Sequence, residues 1–264
     1  MAAMDLKGAG VVVTGAGSGI GAALARRFAA EGARLVVNDL DAAAAARVAA
    51  EVGGLAVPGD AGAEESVAAM VAAARAHLGE IDLFCANAGI EPGGGVHTPE
   101  QVWDQVWQVN VMGHVRVTRH LIGPWLERGR GHFLATVSAA GLLTHLESAP
   151  YSVSKHGALA FAEWLSATYG DQGLTVQVVC PLGVRTEMYE KTDAAAKAVL
   201  GGNVLKPEQV ADEVMEGLAD GRFLILPHAE VREHYTFRAT DTERWLRGMR
   251  RLRRRIDEAA EGDK

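Results

Sequence analysis

A chain of 264 residues that is 48% hydrophobic and 22% charged has the balance of a globular protein, not of a disordered or collagen-like one. At this length folding buries roughly 70–75% of the unfolded surface, so no staples are needed. One large α/β domain over residues 1–264 fits better than two small ones. The net charge is −7, but eight arginines between 238 and 255 face only Asp241 and Glu243, which leaves −13 elsewhere. An acidic body argues against nucleic acid as the main partner.

Cys85 and Cys180 sit in apolar runs and read as buried free thiols, not as a disulfide framework. No apolar run approaches the roughly 18 residues of a membrane span, and Met1–Lys7 lacks the apolar core of a secretory leader. A cytoplasmic protein without a membrane partner is expected.

Short β-branched runs alternate with Ala-rich helical stretches, the pattern of βαβ units. Strands are expected at Gly10–Thr14, Arg34–Asn38, Leu55–Pro58, Leu83–Ala86, Gly131–Val137, Thr175–Cys180 and Phe223–Leu226. Helices are expected at Gly19–Glu31, Asp41–Val52, Ala63–Leu78, Pro99–Arg128 (interrupted at Gly113), Pro150–Gly170 and Pro207–Leu218. The strands are apolar without alternation, as when helices cover both faces. The fold class is α/β: a doubly wound, seven-stranded parallel Rossmann-type sheet with helices on both faces and a core over residues 6–227. Thr186–Leu205 is less regular and ends in Gly201-Gly202-Asn203; it reads as a flap over a site or, alternatively, as a surface helix with a loop. Residues 228–264 form a helical extension in which Trp245, Leu246, Met249, Leu252 and Ile256 share one face, an amphipathic helix packed on the body or on a partner subunit.

The first strand runs into Gly15-Ala16-Gly17-Ser18-Gly19-Ile20-Gly21 and then a helix. Such glycines let backbone approach a pyrophosphate at a helix N-terminus. Asp39 follows 18 residues after Gly21, at the end of the second strand. Its carboxylate suits an adenosine ribose and repels a 2′-phosphate, and no arginine or lysine lies between Val36 and Ala46, so NAD is expected over NADP. The alternative reading of Asp39, as N-cap of the next helix, is weakened because Asp41 can take that role. Tyr151 and Lys155 share a helix face, where an ammonium lowers the pKa of a phenol and makes it a usable base. Ser138 lies just past a strand carboxyl end, where open α/β sheets bind ligands.

Thr14–Gly21, Asn87-Ala88-Gly89, Asn110, Ser138 and Tyr151-Ser152-Val153-Ser154-Lys155, with 13 residues from Ser138 to Tyr151, resemble the short-chain dehydrogenase/reductase family in its single-domain branch. The resemblance implies a hydride transfer between NAD and a secondary alcohol or ketone. Tyr151 would be the general acid/base, Lys155 would depress its pKa and hold the nicotinamide ribose, and Ser138 would orient the substrate oxygen. Asn110 would support a water through which Lys155 exchanges protons. Gly15, Ser18, Gly19, Ile20 and Gly21 would cradle the phosphates, and Asp39 with Leu40 the adenosine ribose. Asp60 and Ala61 would face the adenine. Asn87, Ala88 and Gly89 would line the ribose side and brace the sheet, and Pro181, Val184 and Thr186 would meet the carboxamide. The resemblance also implies a homodimer or homotetramer that pairs Pro99–Arg128 and Pro150–Gly170.

Two positions depart from the family pattern. Ala86 stands where a first asparagine is usual, and Leu182 follows Pro181 where a glycine is usual. Leu182 either narrows the nicotinamide pocket or shifts the turn by one residue. Ala140, Leu143, His145, Leu182, Met188 and Tyr189 are the candidate substrate contacts and make an apolar pocket, with His145 alternatively a surface histidine. No cysteine or acidic partners accompany His114 and His120 at zinc spacing, so no metal is expected. A catalytically silent dinucleotide-binding regulator, or a dehydratase or epimerase on the same scaffold, are the alternatives in function.

Overall fold

The structure, a computed structural model, describes residues 4–191, 197, 202 and 204–262. Seven parallel strands form one sheet: β1 (Gly10–Val13), β2 (Arg34–Val37), β3 (Leu55–Ala56), β4 (Leu83–Ala86), β5 (Gly131–Thr136), β6 (Leu174–Val179) and β7 (Leu224–Ile225). Their order is β3-β2-β1-β4-β5-β6-β7, so the winding reverses between β1 and β4. Every residue of β1 and of β4 is buried, because both faces of the sheet carry helices.

Helices α1 (Gly19–Ala30), α2 (Ala42–Val52) and α7 (Pro207–Asp220) cover one face, over a core that includes Phe28, Leu24 and Val214. Helices α3 (Glu64–Leu78), α5 (Gly113–Glu127) and α6 (Ala149–Tyr169) cover the other, over Trp125, Leu121 and Phe133. Asp41 caps α2 as its sequence position suggested, its carboxylate accepting from the Ala43 and Ala44 amides. Cys85 and Cys180 are buried and unpaired. Among the described residues no helix is long and apolar enough to cross a membrane.

The long helix expected over Pro99–Arg128 is interrupted, though not by its glycine. α4 (Glu100–Trp107) passes into a π-helical turn, Gln108–Met112, before α5 begins at Gly113. Gly113 serves close packing instead: a Cβ there would lie 2.6 Å from the Ala61 carbonyl oxygen.

The extension is also more than one helix. α8 (Ala229–Thr240) and α9 (Thr242–Gly262) meet at Asp241, whose carboxylate accepts from the Arg244 amide and starts the second helix. The pair folds back over the carboxyl ends of the strands. Ile256 is buried, Trp245 packs against the core that holds Leu142 and Leu143, and Leu246 stays exposed. Two polar ties hold the pair down: Arg253 bridges Glu147 at 2.8 Å, and Arg238 donates to the Leu142 carbonyl and meets His156 Nε2 at 3.0 Å. Half of the flap expected over Thr186–Leu205 lies outside the described residues; what is described there includes a helical turn, Glu187–Glu190, and a parallel bridge from Val184 to Leu205.

Candidate active site

At the reversal of winding, the turn from β1 into α1 opens on a cavity of about 1280 Å³. Gly15 and Gly19 take φ of +59° and +51°, where side chains other than glycine are strained. A Cβ on Gly15 would lie 2.8 Å from the Cα of Ala88. Ser18, the N-cap of α1, makes no side-chain capping bond, so the amides of the first turn face the cavity with their partial positive charge. Gly21 lies behind this turn and not on the cavity wall. A Cβ there would come within 2.2 Å of the Gly15 carbonyl oxygen, so its part is close packing of α1.

Asp39 sits at the lip. Its carboxylate accepts from the Gly17 amide at 2.8 Å and the Asp41 amide at 3.0 Å, which fixes its orientation. Leu40 beside it is 77% exposed. Asp60 accepts from the Gly62 amide at 2.7 Å and lines the cavity with Ala61. Arg47, one residue past the cation-free stretch from Val36 to Ala46, donates to the Gly17 carbonyl at 2.8 Å. Only the fold brings that cation to the glycine turn.

Asn87 braces three strands. Its amide donates to the Thr14 carbonyl at 2.9 Å and accepts from Thr136 Oγ1 at 2.9 Å. Ala88 and Gly89 follow on the cavity wall. A Cβ on Gly89 would stand 3.2 Å from Lys155 Nζ, so the glycine leaves room for the ammonium. Asn110, in the π-turn, is fully buried and does not reach the cavity. Its side chain accepts from the Ile90 amide at 2.9 Å and donates to the Ile90 carbonyl and to Ser154 Oγ, each at 3.0 Å. Ser154 in turn donates to the Tyr151 carbonyl at 2.8 Å. Asn110 therefore ties the segment after β4 to the first turn of α6.

Ser138, just past β5, has φ +141°, the one non-glycine positive φ among the described residues. Strained backbone of this kind persists where the surroundings over-determine it. Here the Ser138 Oγ accepts from the Ala140 amide at 3.1 Å, and Ala139 donates to the Pro181 carbonyl at 2.8 Å. Tyr151 and Lys155 stand one turn apart on α6, capped by Ser148, and Nζ lies 5.5 Å from the phenol ring centre. Lys155 also donates to the Thr136 carbonyl at 2.9 Å. Burial pushes the Tyr151 phenol up to about 12; a hydrogen bond with Ser138 pulls the other way, and Glu91 adds to the rise. Burial brings the Lys155 ammonium down to about 8. The lowering of the phenol pKa expected from Lys155 is therefore not what the site shows, because burial dominates: the phenol holds its proton at neutral pH and is placed to give it up to an oxygen in the cavity.

Pro181, Leu182, Val184 and Thr186 follow β6 along the same wall. Leu182 is 42% exposed, and its amide donates to His228 Nδ1 at 3.1 Å. Thr186 spends its hydroxyl on the Val184 carbonyl and as N-cap of the turn Glu187–Glu190. Ala140, Leu143, His145, Met188 and Tyr189 all line the cavity, and the His145 ring meets Tyr151 edge-on at 6.2 Å. His145, half-buried, thus stands on the wall of this cavity. What sequence reading missed is the outer wall: Phe237, Trp245, Met249, Leu252 and Ile256 belong to the same cavity. Their helical spacing was visible, but what it faces depends on contacts across about a hundred residues.

The sequence profile of the short chain dehydrogenases matches residues 9–197. This chain belongs to that family. The dehydrogenase is 37% identical over 242 residues to 1-deoxy-11-beta-hydroxypentalenate dehydrogenase of Streptomyces exfoliatus, covering 87% of this chain and 86% of that one. Among solved structures it is similar to a short chain dehydrogenase/reductase from Burkholderia phymatum in complex with NAD, with a TM-score of 0.83 and 29% identity, over 91% of this chain and 96% of that one. It is also similar to 3-ketoacyl-(acyl-carrier-protein) reductase from Brucella melitensis complexed with NADH, with a TM-score of 0.77 and 29% identity, over 84% and 96% of the two chains. The dehydrogenase is therefore an oxidoreductase that acts between alcohol and carbonyl.

Proposed function

We propose that the chain works as a single domain that moves a hydride between NAD, in preference to NADP, and an apolar secondary alcohol or its ketone. The observation that carries this reading is that Ser138, Tyr151 and Lys155 converge on the cavity that the glycine turn and Asp39 also line. The turn fits a dinucleotide: a backbone cradle that a Cβ would fill, uncapped helix amides to meet the phosphates, and a carboxylate fixed beside the turn that would suit an adenosine ribose. The nicotinamide, when bound, supplies or accepts the hydride.

The protein's own residues manage the proton. In reduction Tyr151 gives its phenolic proton to the carbonyl oxygen. Ser138, whose Oγ already accepts from Ala140, keeps its hydroxyl proton to donate to that same oxygen. Lys155 stabilises the resulting phenolate by its charge and holds the coenzyme ribose. Asn110 keeps Tyr151 and the segment around Ile90 in register; with its side chain spent on Ile90 and Ser154, its part is positioning and not proton relay. Oxidation runs these steps backwards.

Trp107 on α4, with Val153 and Trp164 on α6, are 41–53% exposed, and this apolar surface supports pairing with a second copy into a dimer or tetramer. The two buried thiols suit the reducing cytoplasm. The decisive experiment is Tyr151→Phe, assayed with secondary alcohols and NAD. Turnover is expected to vanish while NADH still binds, read by its fluorescence; retained turnover overturns the mechanism.

A further inference from the structure

The family match ends at residue 197, and the outer wall of the cavity lies beyond it, on α8 and α9. That wall has two parts. Phe237 and Trp245 meet edge-to-face at 6.2 Å, and Met249, Leu252 and Ile256 continue the apolar face along α9. Beside them Arg244 and Arg251 also line the cavity. Among the described residues neither guanidinium has a carboxylate partner, although Arg244 stacks on Phe237 at 5.5 Å. Other charges nearby are already matched: Arg253 holds Glu147 at 2.8 Å, and Lys197 holds Glu190 at 3.5 Å. Glu187 has Lys191 at 4.0 Å, and Glu91 accepts from the Gly93 amide and acts on Tyr151 at the inner end. The volume of about 1280 Å³ also exceeds the roughly 300–1,000 Å³ that one small ligand fills, so a dinucleotide leaves space for a second, bulky one.

We propose that α8 and α9 form a substrate-reading wall, in which Trp245, Met249, Leu252 and Ile256 hold a bulky apolar frame while Arg251 and Arg244 bind a carboxylate on it. This narrows the apolar alcohol or ketone of the proposed function to hydroxy acids and oxo acids, apolar but for one carboxylate, whose alcohol or ketone sits on an alicyclic or similarly large frame. This rests on the reading that Tyr151 exchanges a proton with the substrate oxygen in the same cavity. The ties from Arg253 to Glu147 and from Arg238 to the Leu142 carbonyl make the wall a fixed one, anchored to the segment that leads into α6. An apolar frame without the acid would gain only the non-directional part of binding. The guanidinium fork adds an oriented, charge-assisted contact that sets which end of the frame points at Tyr151.

The test uses the full chain and matched pairs of alicyclic hydroxy acids and their methyl esters, from 4-hydroxycyclohexanecarboxylate to hydroxylated polycyclic acids, with NAD. The acid is expected to exceed its ester in kcat/KM by about tenfold or more, the weight of one charged hydrogen bond. Arg244→Gln/Arg251→Gln should collapse that ratio towards one, chiefly through KM of the acid. Arg250→Gln, which removes the same charge from a position of α9 off the cavity wall, should leave the ratio in place. Added salt should raise KM of the acid and not that of the ester. Esters turned over as well as acids, or a ratio that survives the double substitution, overturns the proposal while leaving hydride transfer by Tyr151 standing. Turnover confined to other neutral alcohols also overturns it. The hydride-transfer reading fails separately, if Tyr151→Phe keeps its activity.

Discussion

Replacing Asn110 by alanine tests whether the segment after β4 and the first turn of α6 are held together by one side chain. Asn110 is 0% exposed and makes three hydrogen bonds, to the amide and carbonyl of Ile90 and to Ser154 Oγ. Alanine removes all three. Ser154 keeps its bond to the Tyr151 carbonyl, so its loss is partial. Each Ile90 group left unpaired in this part-buried site costs up to about 1–3 kcal/mol, and water entering the vacated volume recovers part of that. A net loss of about 2–4 kcal/mol is expected, read as a lower urea midpoint at unchanged slope. Activity measured well below the new midpoint should fall further than stability explains, because Tyr151 loses the tie that fixes the start of its helix. A loss under about 1 kcal/mol would refute the reasoning, and so would a variant whose residual kcat tracks only its folded fraction.

Ketone reduction needs a protonated Tyr151 beside a charged Lys155. With the phenol pushed up to about 12 and the ammonium brought down to about 8, its kcat/KM should stay level from pH 6 to 7.5 and decline above about 8; activity that falls as pH drops from 8 to 6 contradicts this. Asp39→Gly should raise kcat/KM with NADP relative to NAD by at least about tenfold, since it removes the opposing charge while Arg47 remains at the glycine turn; an unchanged ratio would mean that Asp39 does not read the ribose. His114 is buried against Phe133, both ring nitrogens lack hydrogen-bond partners among the described residues, and burial brings its pKa from 6.5 to about 3. The unfolded chain therefore takes up a proton that the fold refuses, and stability present above pH 6.5 drains away as pH falls towards 3, by up to about 4 kcal/mol. His114→Leu should flatten that acid slope and raise the urea midpoint at pH 5; a midpoint below wild type at that pH argues against it.

Much of the inner site was legible because local chemistry dictates it. A strand that runs into glycines and then a helix has few alternatives, and an acid at the end of β2 can only lie near that turn. Tyr151 and Lys155 needed only a helix to share a face. The substrate candidates Ala140, Leu143, Met188 and Tyr189 reached the cavity because they follow strand carboxyl ends. Elsewhere the signal was not local. The tie between Arg253 and Glu147 joins residues 106 apart, so the amphipathic spacing of α9 showed a buried face without showing what it faces. Arg47 lies on α2 and approaches Gly17 only when that helix packs on the sheet. Residues 108–112 have no composition that marks a π-turn, since the extra residue is accommodated by the neighbours it packs against.

That turn has a consequence for how the family scaffold can vary here. One residue beyond the α-helical count rotates everything after it by about 100°, so α5 presents a different side to the sheet than a continuous α4 would. Deleting a residue between 108 and 112 would restore a regular helix, better bonded in itself. It would also turn Asn110 away from Ile90 or swing Val117, Leu121 and Trp125 off the sheet. Substitutions along this stretch can be absorbed one side chain at a time. A change of length cannot, so the number of residues from α4 to α5 is held more tightly than their identity.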